Sequence, residues 1–114
     1  MVKWNNLDTL ASFKELSDAK RVSLQDVMSG ENGAERVKKY SVKMAEGLTY
    51  NYAAKAVDDE VLAALEKLAE EAQLAEKFEA LYNGAVINTG ENRLVLHHMT
   101  RGQLGNAVKA DGVD

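Results

Sequence analysis

Apolar residues recur at helical spacing at the start of the chain. Trp4, Leu7, Leu10 and Ala11 share one face, as a 3.6-residue period requires. Asn5 or Asn6 is placed to cap that helix, and Phe13 and Leu16 continue it with some drift of the face. Ser23 then precedes Leu24, Val27 and Met28, with Asp26 three positions on. This predicts a second helix opened by a capping box that uses a shorter acid. Gly30 and Asn32-Gly33 punctuate the chain, and a further short helix is predicted through residues 35–38.

The period then changes. Tyr40, Val42 and Met44 alternate with Ser41, Lys43 and Ala45, and Leu48, Tyr50 and Tyr52 alternate with Thr49 and Asn51. Two period-2 runs around Glu46-Gly47 predict a β-hairpin near residues 40–53. Such a hairpin is marginal in water unless it packs on something else. From Asp58 the helical period returns. Asp58, Asp59 and Glu60 place negative charge where a helix N-terminus favours it. Val61, Leu65, Leu68 and Ala72 form one stripe, and Leu74, Phe78 and Leu81 a second, out of phase near Gln73. The shift predicts two helices or a bend there, ended by the C-cap signal Asn83-Gly84. Glu66, Glu70 and Glu71 fall off the stripe and read as a solvated face. The fold class expected is α+β: mainly helical, with one antiparallel hairpin.

Composition narrows the picture. The 114 residues fit one domain. A net charge of -4 with pI ≈ 5.2 argues against a nucleic-acid partner. No apolar run approaches the roughly 20 residues of a membrane span, and the first residues lack the apolar core of a signal peptide. With no cysteine, disulfides, thiol nucleophiles and zinc–thiolate sites are excluded, and a cytosolic setting is the expectation. Residues 1–101 read as one helical and hairpin segment. Residues 102–114 are Gly-rich with no period of their own, and read as a connection towards further chain.

Several residues invite a chemical reading. His97-His98 suggests a metal, but adjacent side chains diverge on a helix or a strand, and hydrogen-bonding histidines are favoured. The stretch from Gly84 to Gly90 lacks the Gly-Lys-Ser/Thr ending of a phosphate loop, and reads as a Gly-capped connection between helices. Asp58-Asp59-Glu60 could bind a cation, although consecutive acids at a helix start more simply complement its dipole. Arg93, His97 and Arg101 would share a face if residues 92–100 were helical. That basic stripe would need carboxylates or carbonyls as partners, or would pin the segment against a neighbouring domain or an anionic ligand. No Ser/His/Asp set can be assembled, and no catalytic, cofactor or metal residue is assigned.

The run Ile87-Asn88, Glu91-Asn92-Arg93, Val95-Leu96-His97 and Arg101 resembles the N-terminal motif of the glucose-6-phosphate isomerase (phosphoglucose isomerase) family, with Gly84 on the motif's glycine. Leu24 with Val27-Met28 is similar to a short helix of that family. Arg36 with Tyr40-Ser41-Val42 is similar to its following strand, and residues 58–71 to the next helix. Tyr52 sits where an Asp-Tyr-Ser-Lys-Asn stretch is expected, although Asn51-Tyr52-Ala53-Ala54-Lys55 replaces most of it. Gly90 stands for a Thr and Leu94 for a small Ala. The order holds from about Leu24 to Arg101.

The resemblance implies an enzyme that interconverts glucose 6-phosphate and fructose 6-phosphate without a cofactor, through a cis-enediol. It implies that the work is done by two sugar-phosphate-binding α/β domains downstream of this segment. Asn88, Glu91, Asn92, Arg93, His97 and Arg101 then carry structural roles. The partners implied are the rest of the isomerase chain and a second subunit, with neither nucleic acid nor membrane. The 114 residues alone are expected to be inactive. A rival reading is a stand-alone acidic helical module that binds another protein.

Overall fold

The computed structural model describes residues 1–101. These form five α-helices and two small antiparallel sheets, consistent with an α+β fold: α1 Ala11–Asp18, α2 Leu24–Met28, α3 Glu31–Lys39, β1 Ser41–Ala45, β2 Leu48–Asn51, α4 Asp59–Glu71, α5 Leu74–Tyr82, β3 Val86–Asn88 and β4 Arg93–Leu94, with short 3-10 turns at Leu7–Thr9 and His97–Arg101. The chain divides into two compact units: Glu15–Leu65, and Met1–Lys14 together with the chain from Glu66 onward. The connection expected at residues 102–114 lies outside the described residues.

Within Glu15–Leu65, α2 and α3 pack at close range. A Cβ on Gly33 would fall 2.3 Å from the Met28 carbonyl oxygen, so only glycine fits. Asn32-Gly33 was expected as punctuation, yet it lies inside α3. The helix opens at Gly30, whose φ of 69° is left-handed, and the approach to Met28 accounts for the second glycine. Ser23 is the N-cap of α2 without a side-chain bond. The expected capping box is therefore not closed, and the Ser23 carbonyl accepts the first helical bond from the Val27 amide at 3.1 Å.

The hairpin forms as its alternation requires. Ser41 pairs with Asn51, Val42 with Tyr50, and Lys43 with Thr49, and a bulge precedes Ala45 opposite Leu48. Gly47, at φ 73°, supplies the turn. Val42 and Tyr50 share one face, and Lys43 and Thr49 the other. The core of this unit is small: Arg36, Tyr40 and Ala53 are its buried members, joined by Gly33.

In the other unit, Leu68, Ala72 and Ser12 are buried. The bend expected near Gln73 is a left-handed residue, φ 56° and ψ 47°, between α4 and α5. Asn83 is the C-cap of α5: its amide donates to the Glu79 carbonyl at 3.0 Å, and the Gly84 amide to that of Leu81 at 3.1 Å. Gly84 follows at φ 84°, as a helix C-terminus favours.

Two expectations fail in this unit. The helix predicted from Trp4 does not form: a single 3-10 turn stands at Leu7–Thr9, Leu10 is extended, and α1 begins only at Ala11. The Thr9 and Leu10 amides turn back to the carbonyls of Asn6 and Leu7, and Glu71 takes the Ala11 and Ser12 amides where α1 starts. The region from Gly84 to Gly90 leads into a second hairpin, β3–β4, and not into another helix.

Candidate functional site

The residues singled out in the 84–101 run form a turn. Val86 pairs with Leu94, and Asn88 with Arg93. The Asn88 side-chain amide donates to the Glu91 carboxylate at 3.0 Å, and the Glu91 backbone amide donates to Asn88 Oδ1 at 3.3 Å. Asn92, at φ 54°, takes the left-handed position that asparagine tolerates. Arg93 Nη1 lies 3.9 Å from Glu91 Oε2, and both side chains are mostly exposed. An ion pair this open contributes little.

The shared helical face proposed for Arg93, His97 and Arg101 is therefore corrected. Arg93 lies in a strand and His97 opens a separate 3-10 turn, because the left-handed Asn92 and the Asn88–Glu91 turn fold the chain back as a hairpin. The stripe is also not buried: Arg93 and His97 are exposed. Arg101 ends the 3-10 turn. His98 has the packed role. Its ring stacks on Tyr82 at 4.5 Å, and its Nε2 lies 3.1 Å from the Tyr82 carbonyl oxygen. The two histidines thus serve different surroundings, and no group of three or more metal-ligating side chains forms among the described residues.

The acidic run at Asp58 is also committed. Asp58 Oδ1 accepts from the Val61 amide at 2.8 Å and caps α4. Asp59 accepts from the Tyr40 hydroxyl at 3.0 Å and is ion-paired with Lys39. The Lys39 ammonium, then the Tyr40 hydroxyl, holds the Asp59 carboxyl below its ordinary range.

Two further centres were not read from the sequence. Arg36 is 7% exposed. Its Nε donates to the Ala53 carbonyl at 2.8 Å, and its Nη2 to those of Lys55 and Val57 at 2.9 and 2.6 Å. The guanidinium also lies over the Tyr40 ring, 4.5 Å from its centre. One side chain thereby fixes the path of the loop from β2 to α4, and the carbonyl dipoles and aromatic face offset the cost of burying the charge.

The second centre is Glu71, expected on a solvated face. Its carboxylate accepts from the Ala11 amide at 3.2 Å, the Ser12 amide at 2.8 Å and the Ser12 hydroxyl. Those bonds, the hydroxyl first, lower its pKa. Beside it, Gln73 accepts from the Lys3 amide at 2.8 Å and donates to the Met1 carbonyl at 3.3 Å. Lys77 lies over the Trp4 ring. Partners separated by 59 to 73 positions leave no local signal in the sequence.

Asn88, Asp58, Arg36 and Glu71 bond turns, caps and backbone within an α+β segment. Comparison with known proteins places it. The family model for phosphoglucose isomerase matches residues 51–114. A glucose-6-phosphate isomerase of Treponema denticola is 52% identical over 118 residues, covering 99% of this chain and 22% of that protein. One of Treponema pallidum is 48% identical over 88% of this chain and 19% of its own length, and one of Borreliella afzelii 38% over 97% and 20%. The chain belongs to the phosphoglucose isomerase family, as the motif resemblance implied, and spans about a fifth of the length of these relatives.

Proposed function

We propose that this chain is the N-terminal supporting segment of a glucose-6-phosphate isomerase. The parent enzyme interconverts glucose 6-phosphate and fructose 6-phosphate by proton transfer through a cis-enediol, with no cofactor. Its catalytic groups reside in sugar-phosphate-binding domains beyond these residues, in a homodimer working in the cytosol. This segment aids folding and assembly and does not turn over substrate by itself. Asn88, Glu91 and Asn92 shape the β3–β4 turn for that purpose, and Arg93, His97 and Arg101 flank it.

One observation carries the reading: a named isomerase matches 99% of this chain at 52% identity, yet the match occupies 22% of that isomerase. The commitment of Asp58, Asp59, Glu71 and Arg36 to structural bonds supports it. No helix of the described residues is long and apolar enough to cross a membrane.

The test is a coupled assay for fructose 6-phosphate conversion, run on the 114-residue chain and on the Treponema denticola isomerase carrying this chain in place of its matched stretch. The expected result is no turnover by the chain and turnover by the hybrid. Turnover by the chain alone, or a folded but inactive hybrid, would overturn the proposal.

A further inference from the structure

We infer that residues 1–18 form a strap that docks and releases as one unit, and that α1 is helical only while Glu71 holds it. α1 is eight residues long, and a helix that short is marginal by itself. Leu10 precedes it and offers the first amides no side-chain acceptor, unlike the serine, threonine, aspartate or asparagine favoured at that place. The first turn of α1 also holds no acidic residue. Glu71 supplies both missing parts from the end of α4. Its carboxylate accepts from the Ala11 and Ser12 amides at 3.2 and 2.8 Å, and it sets a negative charge at the positive end of the helix.

Two further clasps hold the chain before α1. The Gln73 side-chain amide accepts from the Lys3 amide at 2.8 Å and donates to the Met1 carbonyl at 3.3 Å, much as a neighbouring strand would. Lys77 lies 5.8 Å from the centre of the Trp4 ring. All three clasps come from residues 71–77, and they reach both ends of the segment they hold. Apolar burial adds little. Of residues 1–18 only Ser12 is buried, and Trp4, Leu7 and Phe13 stand open to solvent. A segment with few buried groups and exposed backbone hydrogen bonds opens at low free energy. Ser12 ties the clasp to the helix, because its amide and its hydroxyl both bond the Glu71 carboxylate. Loss of that carboxylate frees the start of the helix and its one buried side chain together.

The test is amide hydrogen exchange of the 114-residue chain, resolved residue by residue by NMR. Glu71→Ala removes the carboxylate and leaves a good helix former in α4. The amides across Ala11–Asp18 should then exchange about tenfold or more faster, with those of α3 unchanged. The Lys3 amide shift should move towards its unfolded position, although Glu71 does not touch it. Gln73→Gly removes the clasp on Met1 and Lys3 and suits the left-handed backbone there. It should speed the same α1 amides. Leu10→Ser, added to Glu71→Ala, gives α1 a cap of its own and should slow its exchange again.

Acceleration confined to the Ala11 and Ser12 amides in Glu71→Ala would overturn the inference and leave Glu71 as a local bond. So would unchanged α1 exchange in Gln73→Gly, since the clasps would then act separately. Equal acceleration in α3 would make the opening global and remove the strap as a unit. An α1 that stays open after Leu10→Ser is added would show that the missing cap is not what makes the helix conditional. Protection of α1 that is lost on dilution would place the strap of a second copy on residues 71–77, and would overturn docking within one chain.

Discussion

Arg36 and Glu71 each hold a distant stretch of backbone with a single charged side chain, and they do it in opposite surroundings. Arg36 is buried and donates to three carbonyls of the loop after β2. Glu71 is exposed and accepts from the first amides of α1. A buried donor leaves its acceptors stranded if it is lost, whereas an exposed acceptor is replaced by water. One unit therefore depends on its central charge for stability, and the other uses its charge to position an arm.

The largest expected effect is Arg36→Met, which strands the carbonyls of Ala53, Lys55 and Val57. Urea denaturation should show a loss of about 3 kcal/mol. Arg36→Lys should recover little, because an ammonium cannot reproduce the guanidinium fork. A loss under about 1 kcal/mol for Arg36→Met would mean that water can serve the loop, and the contrast with Glu71 would collapse.

Gly33→Ala comes next. The new methyl meets the Met28 carbonyl, and such overpacking should cost about 2 kcal/mol. Gly90→Ala is its control, since a Cβ there would lie 3.7 Å from Asn88 Oδ1, an ordinary contact, and its denaturation midpoint should not move.

Acidification probes Glu71. Its folded pKa is lowered, so its contribution is complete above the unfolded-state pKa and is lost as pH falls through the folded value. Asp59 is lowered as well and fades in the same direction. NMR separates them: the Ser12 amide shift should report Glu71, and the Tyr40 ring shift Asp59. Glu71→Gln should remove the Ser12 transition and leave that of Tyr40. Persistence of the Ser12 transition in Glu71→Gln would show that another group governs the arm.

Arg93→Ala should be the mildest change, about 0.5 kcal/mol or less for so exposed a pair. A larger loss in the full-length hybrid than in the isolated chain would show that Arg93 meets a partner there.

What the sequence disclosed follows from the range of the interactions. The β1–β2 hairpin, the bend at Gln73 and the Asn83-Gly84 cap are set by neighbours in the chain, and residue pattern alone located them. The β3–β4 hairpin is too short to alternate, and its turn is made by Asn88 and Glu91 side chains. The solid apolar run Leu94-Val95-Leu96 therefore imitated a helix. The arm before α1 has helical spacing, but it closes only one 3-10 turn, and its Lys3 amide bonds Gln73, 70 positions away. Arg36 gave no local sign of its burial, since its acceptors are backbone atoms that carry no side-chain signature. The family motif pointed to the right family, although Asn88, Glu91, Asn92 and Arg93, which it highlights, lie in an exposed turn.

Trp4 is the single tryptophan of the chain, and it rests under the Lys77 ammonium, 5.8 Å from its ring centre. The arm thus carries its own fluorophore. Its emission, selectively excited apart from the tyrosines, would report undocking of residues 1–12 optically, at concentrations far too low for NMR and without any added dye.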